Sequence, residues 1–88
     1  MKVTFFKSFV RDLKKIKDDT VLERVRKAIE RVEAAADYQT AGDLKKLSGT
    51  ENCYRIRVGE YRLGVILEAD TMGFVRCLPR CDLYRFFP

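Results

Sequence analysis

The chain contains no histidine. That absence removes the commonest general base and excludes the Ser–His and Cys–His nucleophile systems. It also takes away the usual nitrogen ligand of a zinc site. Cysteine is scarce, and Cys53, Cys77 and Cys81 lack Cys-x-x-Cys spacing. Small buried or half-buried thiols are expected there, not a metal centre. There is no Gly-rich phosphate loop, and no pair of carboxylates stands at a suggestive spacing among the strands. No cofactor is implied. No apolar run approaches the roughly 20 residues of a membrane span, and the opening Met-Lys-Val-Thr-Phe-Phe-Lys is too interrupted by charge to be a signal peptide. A cytoplasmic protein without a membrane partner is expected. Repeats, low-complexity tracts and linkers are missing as well. The 88 residues are read as one domain, 1–88, able to bury a core with little stability to spare.

Lysine, too, runs out part-way. Every Lys lies at or before Lys46, and from residue 47 onward the basic residues are Arg55, Arg57, Arg62, Arg76, Arg80 and Arg85. A net charge of +5 with a pI near 9.3 favours an acidic partner. Arginine offers a planar fork that grips phosphate bidentately and is less strongly hydrated than lysine. The early lysines read as a solvated helix surface and the later arginines as a surface for binding.

What is present reads as helices followed by strands. Val3 to Phe5 fits a short first strand. From Phe6 the apolar residues fall at Phe6, Phe9, Val10, Leu13 and Ile16, the spacing of an amphipathic helix. Asp18-Asp19 interrupts it, and Thr20 with Glu23 matches a capping box. A second helix then carries Val21, Leu22, Val25, Ala28, Ile29, Val32 and Ala36 on one stripe, so an antiparallel helical hairpin is expected. Residues 37–52 read as a connection, with Leu44 and Leu47 tucked beneath it and Lys45 and Lys46 wet. Three strands follow at about 53–58, 61–68 and 73–78, and Asp82 to Phe86 fits a closing turn of helix. Phe86-Phe87 is expected to anchor the tail. The fold class is α+β, with the helical hairpin packed on one face of a small antiparallel sheet and the other face open.

Residues 54–65, Tyr-Arg-Ile-Arg-Val-Gly-Glu-Tyr-Arg-Leu-Gly-Val, spell a β-hairpin turning at Gly59-Glu60. A two-residue loop sets Val58 opposite Tyr61, Arg57 opposite Arg62 and Ile56 opposite Leu63. Alternation then gives Arg55, Arg57 and Arg62 one face and Ile56, Val58, Tyr61 and Leu63 the other. Arg76 joins the arginines if three residues close the next turn and leaves them if four do. Directly opposed like charges are destabilising, so the arrangement points to an anionic partner, and so to nucleic acid. The plain alternative is that Arg57 and Arg62 pair with Glu51, Glu60 or Glu68 on a solvated face. Tyr54 and Tyr61 have core parity, while Tyr84 is left open by pattern.

Tyr-Arg-Ile-Arg-Val-Gly-Glu-Tyr-Arg-Leu (54–63), the segment Val-Arg-Cys-Leu-Pro-Arg-Cys-Asp-Leu-Tyr-Arg-Phe-Phe-Pro (75–88) and Leu-Lys-Lys-Leu-Ser-Gly (44–49) together resemble the RelE/ParE superfamily, toxins of type II toxin–antitoxin modules. The resemblance covers nearly the whole chain. It implies the RelE-like microbial RNase fold, an antitoxin partner and, on the RelE branch, cleavage of mRNA on the ribosome. It implies catalytic roles for Arg55, Arg57, Arg62, Arg80 and Tyr84, with Lys45, Lys46, Arg76 and Arg85 as flanking RNA-binding residues. The implied chemistry is attack by the ribose 2′-OH on the adjacent phosphate. Where many relatives read His-Arg-Lys-Asp, this chain has Pro79-Arg80-Cys81-Asp82, which removes an acid/base and one charge and implies slower or more ribosome-dependent cleavage. Two alternatives stand beside this: a ParE-like inhibitor of DNA gyrase, and a weakened toxin that keeps only its antitoxin binding.

Overall fold

Gly59 and Glu60 close the hairpin as the pattern expects. Gly59 has φ +59°, the left-handed backbone that favours glycine, while the one atom a Cβ there would meet, Arg24 Nη1 at 2.9 Å, is the tip of a flexible side chain that can move aside. In the computed structural model, which describes residues 1–88, the elements are β1 (Lys2–Phe5), α1 (Lys7–Lys14), α2 (Asp19–Ala34), a 3-10 turn at Tyr38–Thr40, β2 (Leu44–Lys46), β3 (Cys53–Val58), β4 (Tyr61–Glu68), β5 (Thr71–Pro79) and α3 (Leu83–Phe86). The sheet order is β1-β5-β4-β3-β2. Across β3 and β4, Val58 pairs with Tyr61, Arg57 with Arg62 and Ile56 with Leu63.

The sheet is mixed, not wholly antiparallel. β1 runs parallel to β5, with Lys2 beside Thr71 and Phe5 beside Phe74. β2 was expected as loop. Its Leu44, Lys45 and Lys46 instead pair with Ile56, Arg55 and Tyr54. Three residues are too short a run to show a period. The β4–β5 turn also differs: two residues close it, Ala69 at φ +53° and Asp70. The register then slips by one at a bulge, where Val65 faces Phe74 but Gly64 faces Arg76. The extra residue, Val75, does what a three-residue turn would have done, and Arg76 ends beside Gly64.

The core lies between the helices and the Ile56/Val58/Leu63/Val65 face. Phe9, Val25, Val32, Leu63, Val65, Met72 and Phe74 are buried there. Tyr54 and Tyr61 pack half-buried against this core. α2 is capped by Asp18, whose carboxylate accepts the Thr20 N–H at 2.9 Å. Thr20 is therefore inside the helix, and Glu23 pairs with Arg26 in place of closing a capping box. α1 departs from its expected stripe, since Phe6 and Val10 are exposed.

The position of α1 explains that exposure. β1 covers β5 only as far as Phe74, leaving residues 75–79 with a bare edge, and α1 lies along it. The Ser8 hydroxyl donates to the Val75 carbonyl at 2.5 Å. The Asp12 carboxylate accepts the Cys77 N–H at 2.9 Å and the Arg76 guanidinium at 2.8 and 3.2 Å. Two helical side chains thus stand in for a ladder strand on an edge that would otherwise be unpaired. The charge pair also holds the Arg76 guanidinium above its usual pKa, chiefly through the hydrogen bonds it donates to Asp12.

The face expected to be open is partly roofed. Leu83 and Phe87 fold back over it and are buried with Leu47 and Cys53, against Ile66, Val75 and Leu78. Phe87 is the anchor, and Phe86 is exposed. Cys53, Ile66 and Val75 share the arginines' parity but are apolar, and they need this cover. No helix is long and apolar enough to cross a membrane.

Two measurements follow from this packing. Asp12→Ala leaves a half-buried guanidinium and a β5 edge amide without an acceptor, and a loss of about 3–5 kcal/mol is expected in urea unfolding. Removing Asp70, whose pair with Lys2 is exposed at 3.9 Å, is expected to change stability by under about 1 kcal/mol. Burial, and then the Asp12 charge, push the Cys77 thiol from 9.0 up to about 12. The folded state holds that proton more tightly, so this contribution is complete below pH 9 and is lost as pH rises toward 12. From pH 9 upward, wild type is expected to lose stability faster than Cys77→Ala, by up to about 1.4 kcal/mol per pH unit.

Candidate RNA-cleavage site

Arg62 is the centre of the site. It comes from the middle strand of the sheet, opposite Arg57, and is only 9% exposed. Its Nη1 donates to the Gly59 carbonyl at 2.7 Å and to the Tyr61 carbonyl at 2.9 Å. The hairpin's own turn therefore holds the guanidinium down. Burial, followed by the charges of Arg55, Arg57 and Arg80, lowers its pKa, and Tyr84 is near enough to oppose that shift. The hairpin register sets Arg55 and Arg57 on the face of Arg62, the Glu60 carbonyl holds Arg80 at the same turn, and Tyr84 lies in the tail turn whose Phe87 rests on Gly64.

The members differ in how free they are. Arg55 is half-buried, and its Nη1 is buried with no hydrogen-bond partner. Arg57 is exposed, and its Nε lies 3.4 Å from Asp43 Oδ2. Neither Arg57 nor Arg62 uses the glutamates the sequence offered. Such an exposed pair is worth under about 1 kcal/mol, so Arg57 can change partner readily. Arg80 is exposed, and its backbone N–H donates to the Glu60 carbonyl at 2.8 Å, tying the post-strand segment to the hairpin turn. Tyr84 is 60% exposed.

The flanking residues divide. Lys45 faces Arg55 across β2 and β3 and shares its side of the sheet. Lys46 faces Tyr54 and takes the other side. Arg76 is occupied by Asp12 and lies 5.7 Å from the Phe86 ring, outside the set that acts on Arg62. Arg85 is exposed, 5.4 Å from the same ring. Arg57 also borders a groove of about 310 Å³ with Arg24, Lys27 and Arg31 of α2, so positive charge continues round the hairpin tip.

Sequence reasoning found Phe87 as a tail anchor but missed Asp43, Asp12, the second anchor Leu83 and the seat that Phe87 takes on Gly64. A signal existed for the last, because a glycine inside a strand, Gly64, marks close approach by another group. Asp12 and Asp43 carry no such mark, since each meets its arginine only through tertiary folding.

A family model described as ParE toxin of type II toxin-antitoxin system, parDE, matches residues 3–84. Toxin RelE3 of Methanocaldococcus jannaschii is 40% identical over 89 residues, covering 100% of both chains. A RelB-RelE antitoxin-toxin complex from Methanococcus jannaschii contains a chain that superposes with a TM-score of 0.79 at 38% identity, covering 96% of this chain and 98% of that one. The YoeB dimer from Staphylococcus aureus shares the fold with a TM-score of 0.71 at 18% identity, over 89% of this chain and 94% of that one. The chain belongs to the RelE/ParE superfamily of type II toxin–antitoxin toxins. Its full-length likeness is to a RelE.

Arg62 is buried and Arg80 exposed, so their removal is expected to differ in thermal cost. Arg62→Ala deprives the Gly59 and Tyr61 carbonyls of their donor, and a loss of about 1–3 kcal/mol is expected. Arg80→Ala is expected to stay within about 0.5 kcal/mol of wild type. Parallel thermal melts check both. Equal losses in the two variants would contradict the burial argument.

Proposed function

We propose that this toxin is a ribosome-dependent endoribonuclease that cuts mRNA without a metal ion. The observation that carries the reading is the convergence of Arg55, Arg57, Arg80 and Tyr84 on the buried Arg62, with Arg55 Nη1 unsatisfied within the chain. Cations gathered at this density repel one another, and an anion placed among them relieves the repulsion.

The cluster consists of arginines and a tyrosine, with no histidine or carboxylate base among them, so it has no good means of activating water. A ribonucleotide brings its own nucleophile. The 2′-OH attacks the adjacent phosphorus, the bond to the 5′-oxygen of the next nucleotide breaks, and the products carry a 2′,3′-cyclic phosphate and a 5′-OH. Arg62 and Arg80 stabilise the extra negative charge on the phosphorane-like state, a contribution worth about 10²–10³ in rate per donor. Arg55 or Arg57 holds the 2′-oxygen or assists its proton transfer. Tyr84 stacks on a base or delivers a proton to the leaving oxygen. Lys45 and Arg85 guide the strand by charge alone. The ribosome's part is to present the mRNA with its 2′-OH in line, where proximity supplies much of the acceleration. The protein partner is an antitoxin of the RelB kind, a reading supported by the RelB-RelE complex from Methanococcus jannaschii among the similar structures.

The ParE family match supports a second reading, inhibition of DNA gyrase without cleavage. Controlled expression separates the two, since early arrest of translation is expected from the first and arrest of DNA synthesis from the second. For the chemistry, an mRNA with 2′-deoxyribose on the 5′ side of the cut, programmed into the ribosomal A site, is expected to bind normally and remain whole. Cleavage of that RNA at the ribose rate would rule out the 2′-OH mechanism. Arg80→Ala, folded, is expected to cut about 10²-fold more slowly.

A further inference from the structure

Gly64 has no backbone reason to be glycine, because it is not among the residues with positive φ. Its reason is steric. A Cβ at Gly64 would lie 2.7 Å from both Cγ and Cδ2 of Phe87 and 3.0 Å from Cδ1. The Phe87 ring therefore rests directly on the backbone of the central strand, between Arg55 on β3 and Arg76 on β5. Phe87 is 4% exposed and Leu83 is fully buried. The Phe87 N–H donates to the Leu83 carbonyl at 2.8 Å, closing the turn between these two anchors. Tyr84 lies inside that turn, 60% exposed, and Gly64 beneath the turn stands two residues from Arg62 on the same face of β4. A four-residue helix has too little intrinsic stability to hold a side chain in place by itself.

We propose that the Gly64–Phe87 socket is the positioning device of the site: Phe87 seated on bare backbone fixes the turn that sets Tyr84 against Arg62. Phe87 is a positioning residue and touches no substrate. Its catalytic consequence rests on the endoribonuclease reading above, whereas the placement of Tyr84 does not.

The test uses the full chain and two separate readouts. The first is spectroscopic and independent of cleavage. The Tyr84 ring resonances, assigned with Tyr84→Phe, are expected to shift when Arg62 is replaced by Lys. That response is expected to vanish in Gly64→Ala, where the new methyl evicts the ring, and to return in Gly64→Ala/Phe87→Leu, where a smaller side chain fits over it. Phe87→Ala, which leaves the strand untouched, is expected to abolish the response as well, and it decides the matter if Gly64→Ala does not fold. A response that persists in Phe87→Ala or in folded Gly64→Ala overturns the proposal, as does a wild-type chain with none.

The second readout is single-turnover cleavage on programmed ribosomes. Gly64→Ala is expected to lower the rate about 10- to 100-fold, the scale of a displacement near 1 Å, with ribosome binding unchanged and with the rate recovered in the double variant. Tyr84→Phe is expected to add nothing further in the Gly64→Ala background. Equal factors in both backgrounds would mean that socket and tyrosine act independently, and would overturn the proposal. A wild-type chain that cuts nothing removes the endoribonuclease reading, while the resonances still decide whether the socket places Tyr84.

Discussion

Arg57 and Arg62 face each other across a two-residue turn, and the site follows from that register. Sliding β4 by a single residue would expose Leu63 and bury Arg62 among the helices. The apolar face therefore holds the charged face in place. Directly opposed like charges work against the hairpin by about 0.2–1 kcal/mol, whereas burying one Leu or Ile side chain contributes about 1.5–3 kcal/mol. The core overrides the repulsion. Arg62 is further settled by the carbonyls of its own turn and Arg57 by the exposed carboxylate of Asp43, so the cations stay together.

The second constraint is the edge of β5. A parallel strand that stops at Phe74 leaves the sheet half-bordered, and α1 completes the border with Ser8 and Asp12. Asp12 also takes up Arg76, which the bulge has turned toward the arginine side. Of the strand arginines, Arg76 alone has a buried carboxylate of its own, and it is the one that does not act on Arg62. The protein thus contains two kinds of arginine that composition cannot tell apart, one neutralised by the fold and the others left with charge to offer.

Much of the fold could be read in the sequence because it rests on local signals. Gly59-Glu60 set the hairpin register, the apolar spacing marked both helices, and alternation separated Ile56, Val58 and Leu63 from the arginines. What escaped was non-local or irregular. The pairing of β1 with β5 joins residues about seventy positions apart, and nothing in Val-Thr-Phe names its partner. The bulge at Val75 imitates a longer turn. The second face looked wet because its arginines outweigh its apolar members in a reading by charge, yet Cys53, Ile66 and Val75 needed a roof and the tail supplied it. At the site, hairpin parity grouped Arg55, Arg57 and Arg62, whereas Arg80 and Tyr84 were reached by family resemblance, since no periodicity links a strand to the segment that folds back over it.

The parallel pairing of β1 with β5 bears on how the molecule comes into being. The sheet's first strand is also the first made, and its partner, residues 71–74, lies near the end of the chain. Synthesis proceeds from the N-terminus, and long-range pairing waits on both ends of the loop it closes. While most of the chain is emerging, β1 has no neighbour, α1 has no edge to cover, and Arg80 and Tyr84 do not yet exist. The sheet and the arginine cluster of a chain built this way come together only after almost the whole of it has been made.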